Sequence, residues 1–306
     1  MSARITIITP TLNRREWLGE ALQSIARQGW PDVEHIVVDG GSSDGTVEWL
    51  RTLPDVTVIT GADRGVYDAM NKGLARATGE FVGFLNSDDY FLDGAFAVAA
   101  AAFAAHPRTE IVAGRALLVA ETGDAQELAE PLAGPEAARA ALIGVCLPNS
   151  RFFRRTLFER VGPFDSTFRL VADRDFVLRL LAAEVETTPL DLVVYAYRQH
   201  AGSLTHNAGR PHALALRREL LDLAMRWGTA DGVPSAISRN ARILEGRSRI
   251  GILRDAAGAL SLRQKLALVT HRADSLSWRP VEAIVRALVD QLEARGPNRR
   301  GHGRAS

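Results

Sequence analysis

The chain has 306 residues, of which 46% are hydrophobic and 24% are charged, the balance of an ordinary globular protein. A single cysteine, Cys146, excludes an internal disulfide and a cysteine-rich zinc site. No apolar stretch is long enough to span a bilayer, and the first residues lack the basic-then-apolar layout of a signal peptide. We therefore expect a cytoplasmic protein.

The formal net charge of +1 hides an asymmetry along the chain. From Arg239 onward there are 14 lysines and arginines against 6 acids, a balance of +8, and the preceding part has 23 against 30, a balance of −7. A basic end on an acidic body is typical of a protein with an anionic partner, such as the inner face of the cell membrane. The alternative is a solvated helical surface. No nucleic-acid partner is expected.

Strands and helices are predicted to alternate over the first part of the chain. Short apolar runs predict strands at residues 5–9, 35–38, 56–60 and 81–85. Apolar residues at helical spacing predict helices between them at residues 16–26, 46–53 and 66–77. This order predicts an α/β fold with a mostly parallel sheet flanked by helices.

The pattern of the remaining residues predicts a second half with strands and helices, followed by a C-terminal part that is purely helical. A helix at 96–105 and a strand at 110–119 precede a polar segment, residues 120–135, which predicts an irregular excursion. Further strands are predicted at 151–153 and 190–197, and further helices at 156–161 and 172–181. After about residue 211 the pattern is purely helical, with helices predicted at 214–227, 237–252, 260–269 and 281–292. Residues 295–306 have almost nothing to bury and are expected to be disordered.

Polar residues that follow the predicted strands are expected to meet at one edge of the sheet, where open α/β sheets bind their ligands. They are Thr9, Asp39, Asp63, Asp88 and Asp89. The last two are adjacent acids at the end of a buried strand, and a divalent cation is the obvious partner for their charge. The alternative is that they only cap the next helix.

Four motifs, in this order, resemble family 2 glycosyltransferases of the GT-A fold: residues 9–14 (TPTLNR), 38–46 (VDGGSSDGT), 63–73 (DRGVYDAMNKG) and 85–89 (LNSDD). Residues 173–175 (DRD) and 198–200 (RQH) extend the match, which covers roughly residues 4–205. The third motif is similar to that of a subset of the family with Gly-Val/Ile-Tyr-Asp-Ala-Met-Asn-Lys-Gly.

The resemblance implies a Rossmann-like GT-A domain over residues 1–208. Within it, residues 1–119 would bind a nucleotide sugar and residues 120–208 the acceptor. A helical extension at 209–294 and a disordered tail at 295–306 would complete the chain. The extension is expected to serve as a peripheral membrane contact or as a homodimer interface.

The activity implied is that of a metal-dependent, inverting glycosyltransferase. It would move a sugar from a nucleoside-diphosphate donor, expected to be a UDP-sugar, to a hydroxyl of a glycan or lipid-linked acceptor in polysaccharide or cell-envelope synthesis. The departing diphosphate accumulates negative charge, which Mg²⁺ or Mn²⁺ would offset. The alternative is a non-catalytic nucleotide-sugar sensor or scaffold.

The resemblance also implies roles for single residues in nucleotide and metal binding. Asp89 is expected to bind the metal, with His200 as an added ligand, and Asp88 to contact the ribose or support the metal. Asp39 would pair with the uracil edge, or would only organise the glycine-rich turn. The other residues expected to approach the nucleotide are Thr9 and Thr11, in the base pocket, and Asp63 and Arg64.

Acceptor activation requires a base, because a sugar hydroxyl is a poor nucleophile until its proton is removed. The family usually places an acidic pair before a helix, and the aligned pair here is Ala172 and Asp173, so Asp173 takes the role. The alternative is that Asp173 caps the helix. Tyr67, Asn71 and Arg198 are expected near the donor sugar or its phosphates.

Other nucleotide-dependent classes are disfavoured by the loop after the first strand. Residues 9–13 (TPTLN) do not form the basic, glycine-rich phosphate loop that a sugar nucleotidyltransferase needs. They also lack the Gly-x-Gly-x-x-Gly pattern of a dinucleotide-binding oxidoreductase.

Overall fold

A nine-stranded mixed sheet organises the residues that the computed structural model describes, which are 2–200, 210–255, 265 and 268. Its strands are β1 (Ile5–Thr11), β2 (Val33–Asp39), β3 (Val56–Thr60), β4 (Phe81–Phe84), β5 (Tyr90–Phe91), β6 (Ile111–Val119), β7 (Ala125–Leu128), β8 (Arg151–Arg154) and β9 (Thr187–Arg198). The α-helices of the same residues are α1 (Arg15–Ala26), α2 (Thr46–Leu50), α3 (Val66–Leu74), α4 (Ala95–Ala105), α5 (Gly134–Ile143), α6 (Leu157–Val161), α7 (Ala172–Ala182), α8 (Arg210–Thr229) and α9 (Ser235–Asp255).

The strand order is β3-β2-β1-β4-β8-β6-β9-β5, with β7 paired to β6. Strands β3, β2, β1 and β4 are mutually parallel. Strand β8 runs antiparallel between β4 and β6, whereas β6 and β9 are parallel. Because β1 lies between β2 and β4, the loops that follow these three strands meet at one edge of the sheet. The predicted α/β class is confirmed.

Helices cover both faces of the sheet, because β1 and its neighbours bury apolar side chains on both sides. On one face Ile8 packs with Met70 of α3 and with residues of α5 and α7. On the other face Ile7 packs with Leu18 of α1 and with residues of α4. A strand buried on both faces presents its functional residues only at its end, which is where the polar residues lie.

Three elements of this fold were not predicted. Strand β7 and the start of α5 lie in the segment 120–135 that predicted an irregular excursion. Strand β7 has the exposed, polar sequence AQEL of an edge strand, and α5 is rich in alanine, so neither has a marked apolar period. Strand β5 has only two residues and depends on pairing with β9.

The described helices of the C-terminal part pack on the sheet domain. Leu223 and Trp227 of α8 and Leu244 of α9 belong to the same buried cluster as Phe176 of α7. The predicted boundary at residue 208, the helix at 281–292, the tail at 295–306 and all but residues 265 and 268 of the helix at 260–269 lie outside the described residues. None of the described helices is both long and apolar enough to cross a bilayer.

Candidate active site

The segment that follows β4 is fixed at the sheet edge by β9. The backbone N–H of Asn86 donates to the Tyr195 hydroxyl at 3.1 Å, and the Asn86 side-chain amide donates to Asp89 Oδ2 at 3.0 Å. The Asn86 side-chain oxygen is buried and has no hydrogen-bond partner. Asn86 therefore holds the turn through its donors and leaves one acceptor for a ligand.

Asp89 is a buried anchor of this turn. Its Oδ2 accepts from the Tyr195 hydroxyl at 2.8 Å and from Asn86, and its Oδ1 accepts from the backbone N–H of Arg198 at 2.9 Å. Burial, with Asp88 next to it, raises the pKa of Asp89 to about 7. Both carboxylate oxygens accept hydrogen bonds inside the protein, and the role of Asp89 as the metal ligand stays a prediction.

Asp88 and His200 form the pair that faces the sheet edge. Asp88 Oδ2 lies 3.0 Å from His200 Nε2, and the Asp88 side chain is 20% exposed. The buried His200 ring stacks on Trp17 of α1, with ring centroids 5.1 Å apart. The hydrogen bond from Arg198 to Asp89 brings the end of β9 against this turn. Tertiary pairing therefore places an imidazole beside the more accessible of the two acids.

This pair fits part of a divalent-cation site. Among the described residues, no three His, Cys, Asp or Glu side chains gather closely enough to hold a cation by themselves. Mg²⁺ at nucleotide sites usually takes one or two protein carboxylates and completes its shell with substrate phosphates and water. Two ligands on adjacent corners of an octahedron with ~2.1 Å bonds are ~3.0 Å apart, so the Asp88–His200 separation suits two such positions.

Arg198 is held away from the turn by α1. Its guanidinium pairs with Glu20 at 2.5 Å and lies over the rings of Trp17, at 5.2 Å, and Tyr90, at 4.8 Å. These contacts place Arg198 as a support for the segment that carries His200. They support a positioning role for Arg198, and its contact with the phosphates stays a prediction.

The ends of β1 and β2 form a second polar pocket. Thr11 and Asp39 are register partners, and Asp39 is fully buried. Asp39 Oδ1 accepts from the backbone N–H groups of Gly41 and Ser42 at 2.9 and 2.8 Å, so it does organise the turn. Asp39 Oδ2 and the Thr11 hydroxyl are buried without a partner. Buried polar groups are normally paired, so this acceptor and hydroxyl indicate a place for a polar ligand.

Asp63 joins this pocket from the loop after β3. A methyl group added at Gly40 would lie 2.6 Å from Asp63 Oδ2, so the absence of a side chain at Gly40 is what admits the carboxylate. The neighbouring Arg64 is exposed and donates to Asp68 and to Ser166, at 2.9 and 2.8 Å. Exposed pairs of this kind contribute ~0–1 kcal/mol, so a phosphate can displace them.

Thr9 supports the pocket from within the sheet. It is fully buried, and its hydroxyl lies 3.0 Å from Nε2 of His35 on β2. Burial lowers the pKa of His35 to about 4, so this histidine is neutral in the folded protein at pH 7. The Thr9 hydroxyl therefore has a partner inside the sheet, whereas the buried Thr11 hydroxyl has none among the described residues.

Asp173 lies in the first turn of α7. Its carboxylate accepts from the backbone N–H of Arg174 at 2.8 Å, and the Tyr67 hydroxyl lies close to it. Burial raises the pKa of Asp173 above its usual value, against the opposing effect of Arg174. A carboxylate whose pKa is raised is a stronger base than an exposed one, as proton abstraction requires.

Tyr67 and Asn71 lie one turn apart on α3 and make different contacts. Burial and the nearby Asp173 carboxylate raise the pKa of Tyr67, which therefore stays protonated beside Asp173. Asn71 binds the backbone of Phe164 with both ends of its amide, donating to the carbonyl at 2.7 Å and accepting from the N–H at 3.0 Å. Asn71 therefore fixes the turn before α7, and its contact with the donor stays a prediction.

Sequence reasoning missed the side chains that connect these parts. Trp17, Glu20 and Tyr195 lie in regular elements, where their apolar surroundings predict only packing. The side chains of Glu130 and Arg151 form a buried ion pair, although Glu130 comes from the segment that predicted an excursion. Asn86 was the one detectable signal, because an amide at the end of a buried strand needs a reason to be there.

Sequence similarity relates the chain to known glycosyltransferases. The Glycosyl transferase family 2 model matches residues 6–162. The chain is 33% identical over 207 residues, 64% of this chain and 77% of the relative, to a PGL/p-HBAD biosynthesis glycosyltransferase of Mycobacterium bovis (strain BCG / Pasteur 1173P2).

Two solved structures share the fold. S. aureus TarS 1-349 in complex with UDP-GlcNAc has a TM-score of 0.65 at 20% identity, over 97% of this chain and 93% of that one. The mannosyltransferase PcManGT from Pyrobaculum calidifontis, in complex with GDP-Man and Mn²⁺, has a TM-score of 0.59 at 20% identity, over 98% and 89%. The predicted GT-A fold is confirmed. Since the family model covers just over half of the residues, the chain belongs to glycosyl transferase family 2 and is a glycosyltransferase.

Proposed function

We propose that the protein transfers a sugar, with inversion, from a UDP-sugar to a hydroxyl of a glycan or lipid-linked acceptor. The choice of uracil as the nucleobase rests on two buried groups without a hydrogen-bond partner, the Thr11 hydroxyl and Asp39 Oδ2. Asp39 offers only Oδ2, because Oδ1 already accepts two backbone N–H groups. Uracil presents one N–H donor beside a carbonyl, which matches one carboxylate oxygen and one hydroxyl. Guanine presents two adjacent donors and would call for both carboxylate oxygens.

Asp88 and His200 would hold a divalent cation together with the diphosphate. When bound, the cation offsets the negative charge that accumulates on the leaving diphosphate. A carboxylate suits either Mg²⁺ or Mn²⁺, and an imidazole favours Mn²⁺. Asp89 stays internal and fixes the turn.

Asp173 would act on the acceptor side. It takes the proton from the acceptor hydroxyl while that oxygen forms a bond to the anomeric carbon and the bond from this carbon to the diphosphate oxygen breaks. The protonated Tyr67 hydroxyl beside it would help to keep the carboxylate in place. Residues 1–119 would thus hold the donor and residues 120–208 would supply the base and the acceptor surface.

Nucleotide binding tests the choice of uracil directly. Thermal unfolding with UDP or GDP, each with and without Mn²⁺, should show the larger rise in Tm with UDP and Mn²⁺. Asp39→Asn should lower the affinity for UDP by at least about tenfold, since one buried charge-assisted hydrogen bond is worth ~1.5–3 kcal/mol. Glu48→Gln, an exposed acid on the neighbouring α2, is the control. Stronger stabilisation by GDP would overturn the choice of uracil.

A further inference from the structure

The exposed face of α9 combines arginine with isoleucine. Its exposed side chains recur at a spacing of three or four residues, and we call them the Arg–Ile face: Arg239, Arg242, Ile243, Arg247, Ile250 and Arg254. The opposite side of the helix, including Ile237, Ala241 and Leu244, is buried against the domain. The helix therefore has one side committed to the core and one side presented outward.

The Arg–Ile face has a strong positive charge. Of the two acids of α9, Glu245 is buried and paired with Arg249, and Asp255 pairs with Arg217 and Arg254. Within the described residues, Arg239, Arg242 and Arg247 have no carboxylate within ion-pair distance. Three arginines on one side of one helix keep their full charge for a partner.

The two isoleucines distinguish this face from an ordinary solvated surface. Ile243 and Ile250 are 43% and 47% exposed, and their spacing of seven residues places them on the same side, two turns apart. Helices that lie in a membrane interface have this composition, with apolar side chains entering the lipid and basic ones at the headgroups. The phosphate backbone of a nucleic acid would use the arginines, but it offers nothing apolar for the two isoleucines.

We propose that the Arg–Ile face of α9 binds an anionic lipid surface. The charge distribution of the chain orients it at such a surface. Anionic lipids repel the part before Arg239, which has a net charge of −7, and attract the part from Arg239 onward, which has a net charge of +8. Residues 256–306 continue the basic composition, with nine lysines and arginines against four acids. Each basic residue near an anionic leaflet contributes about 1 kcal/mol, so three of them matter for the affinity. The proposal does not depend on the sugar donor.

Vesicle flotation of the full chain tests this surface. The chain is expected to float with phosphatidylglycerol vesicles at low ionic strength and to stay in solution with phosphatidylcholine vesicles. The triple substitution Arg239→Glu, Arg242→Glu, Arg247→Glu should lower the partition coefficient by at least about 100-fold. The substitutions Ile243→Ser and Ile250→Ser together should lower it by about tenfold and make the remaining binding more sensitive to salt.

A control with the same change of charge separates this face from net charge alone. Arg51, Arg76 and Arg108 are exposed on the body, and their replacement by glutamate should leave flotation near the wild-type value. An equal loss in this control would overturn the proposal, as would failure of the wild-type chain to float. Binding of a single-stranded RNA homopolymer by the wild-type chain, lost in the α9 triple variant and without vesicle binding, would assign the face to nucleic acid and also overturn it.

Discussion

His200 lies between an aromatic ring and a carboxylate: its ring stacks on Trp17 with centroids 5.1 Å apart, and its Nε2 is 3.0 Å from Asp88. The stacking fixes the plane of the imidazole, and Asp88 fixes the direction of its nitrogen. An indole so close to a proposed metal ligand is also an internal reporter. The geometry thus allows metal binding to be followed without measuring sugar transfer.

Trp17 should report the binding of Mn²⁺. Addition of Mn²⁺ with UDP is expected to quench part of the tryptophan emission in the wild-type chain, because the ion would bind beside His200. Trp17→Phe should remove this part of the quenching. Trp30→Phe is the control, since the Trp30 indole donates to the Ala3 carbonyl far from this edge of the sheet. Full quenching in Trp17→Phe would place the ion elsewhere.

The two neighbouring acids should give different phenotypes. Asp88→Asn is expected to abolish the Mn²⁺-dependent rise in Tm with UDP and to leave the stability of the ligand-free protein nearly unchanged. Asp89→Asn should lower the free energy of unfolding by ~1–3 kcal/mol, because its buried oxygens accept three hydrogen bonds. Urea unfolding and thermal shift measure both effects. The reverse pattern would return the metal to Asp89.

Asp173→Asn should separate catalysis from donor binding. We expect transfer to fall by at least about 100-fold, which is the usual contribution of a general base, while UDP affinity stays within about twofold. Product formation and calorimetric titration with UDP are the two measurements. Asp175→Asn is not a suitable control, because Asp175 is buried and accepts from Trp227 and Arg179. Glu136→Gln, on the surface of α5, is suitable. Full activity in Asp173→Asn would remove it from the base role.

His35 should make the fold sensitive to acid. Its pKa is about 4 in the folded protein and about 6.5 in the unfolded chain, so between these values only the unfolded chain binds the proton. Its contribution to stability is therefore complete above pH 6.5 and is lost as the pH falls toward 4. Between pH 7 and pH 4.5 the wild-type chain should lose about 2–3 kcal/mol more unfolding free energy than His35→Gln.

Urea unfolding at several pH values measures this difference for both chains. Glutamine keeps a polar group beside Thr9 and does not titrate, so the comparison isolates the histidine. Parallel stability curves for wild type and variant over this pH range would show that His35 is protonated without cost in the folded protein.

The sequence by itself determined the sheet and the residues at its edge. Apolar runs separated by helical periods place Thr9, Asp39, Asp63 and Asp88 at the ends of successive predicted strands, and parallel pairing then brings strand ends together. Four motifs in order were enough to predict the family. Local patterns could achieve this because each depends on residues close together in the chain.

Only the tertiary structure decided which groups remain available for a ligand. Asp89 stands next to Asp88 in sequence, but hydrogen bonds from Tyr195 and Arg198, more than 100 residues away, draw it into the protein. In the same way the Phe164 carbonyl accepts a hydrogen bond from Asn71, and Glu20 forms an ion pair with Arg198. A hydrogen bond or an ion pair is satisfied by proximity in space, and a sequence motif carries no record of which distant partner will satisfy it.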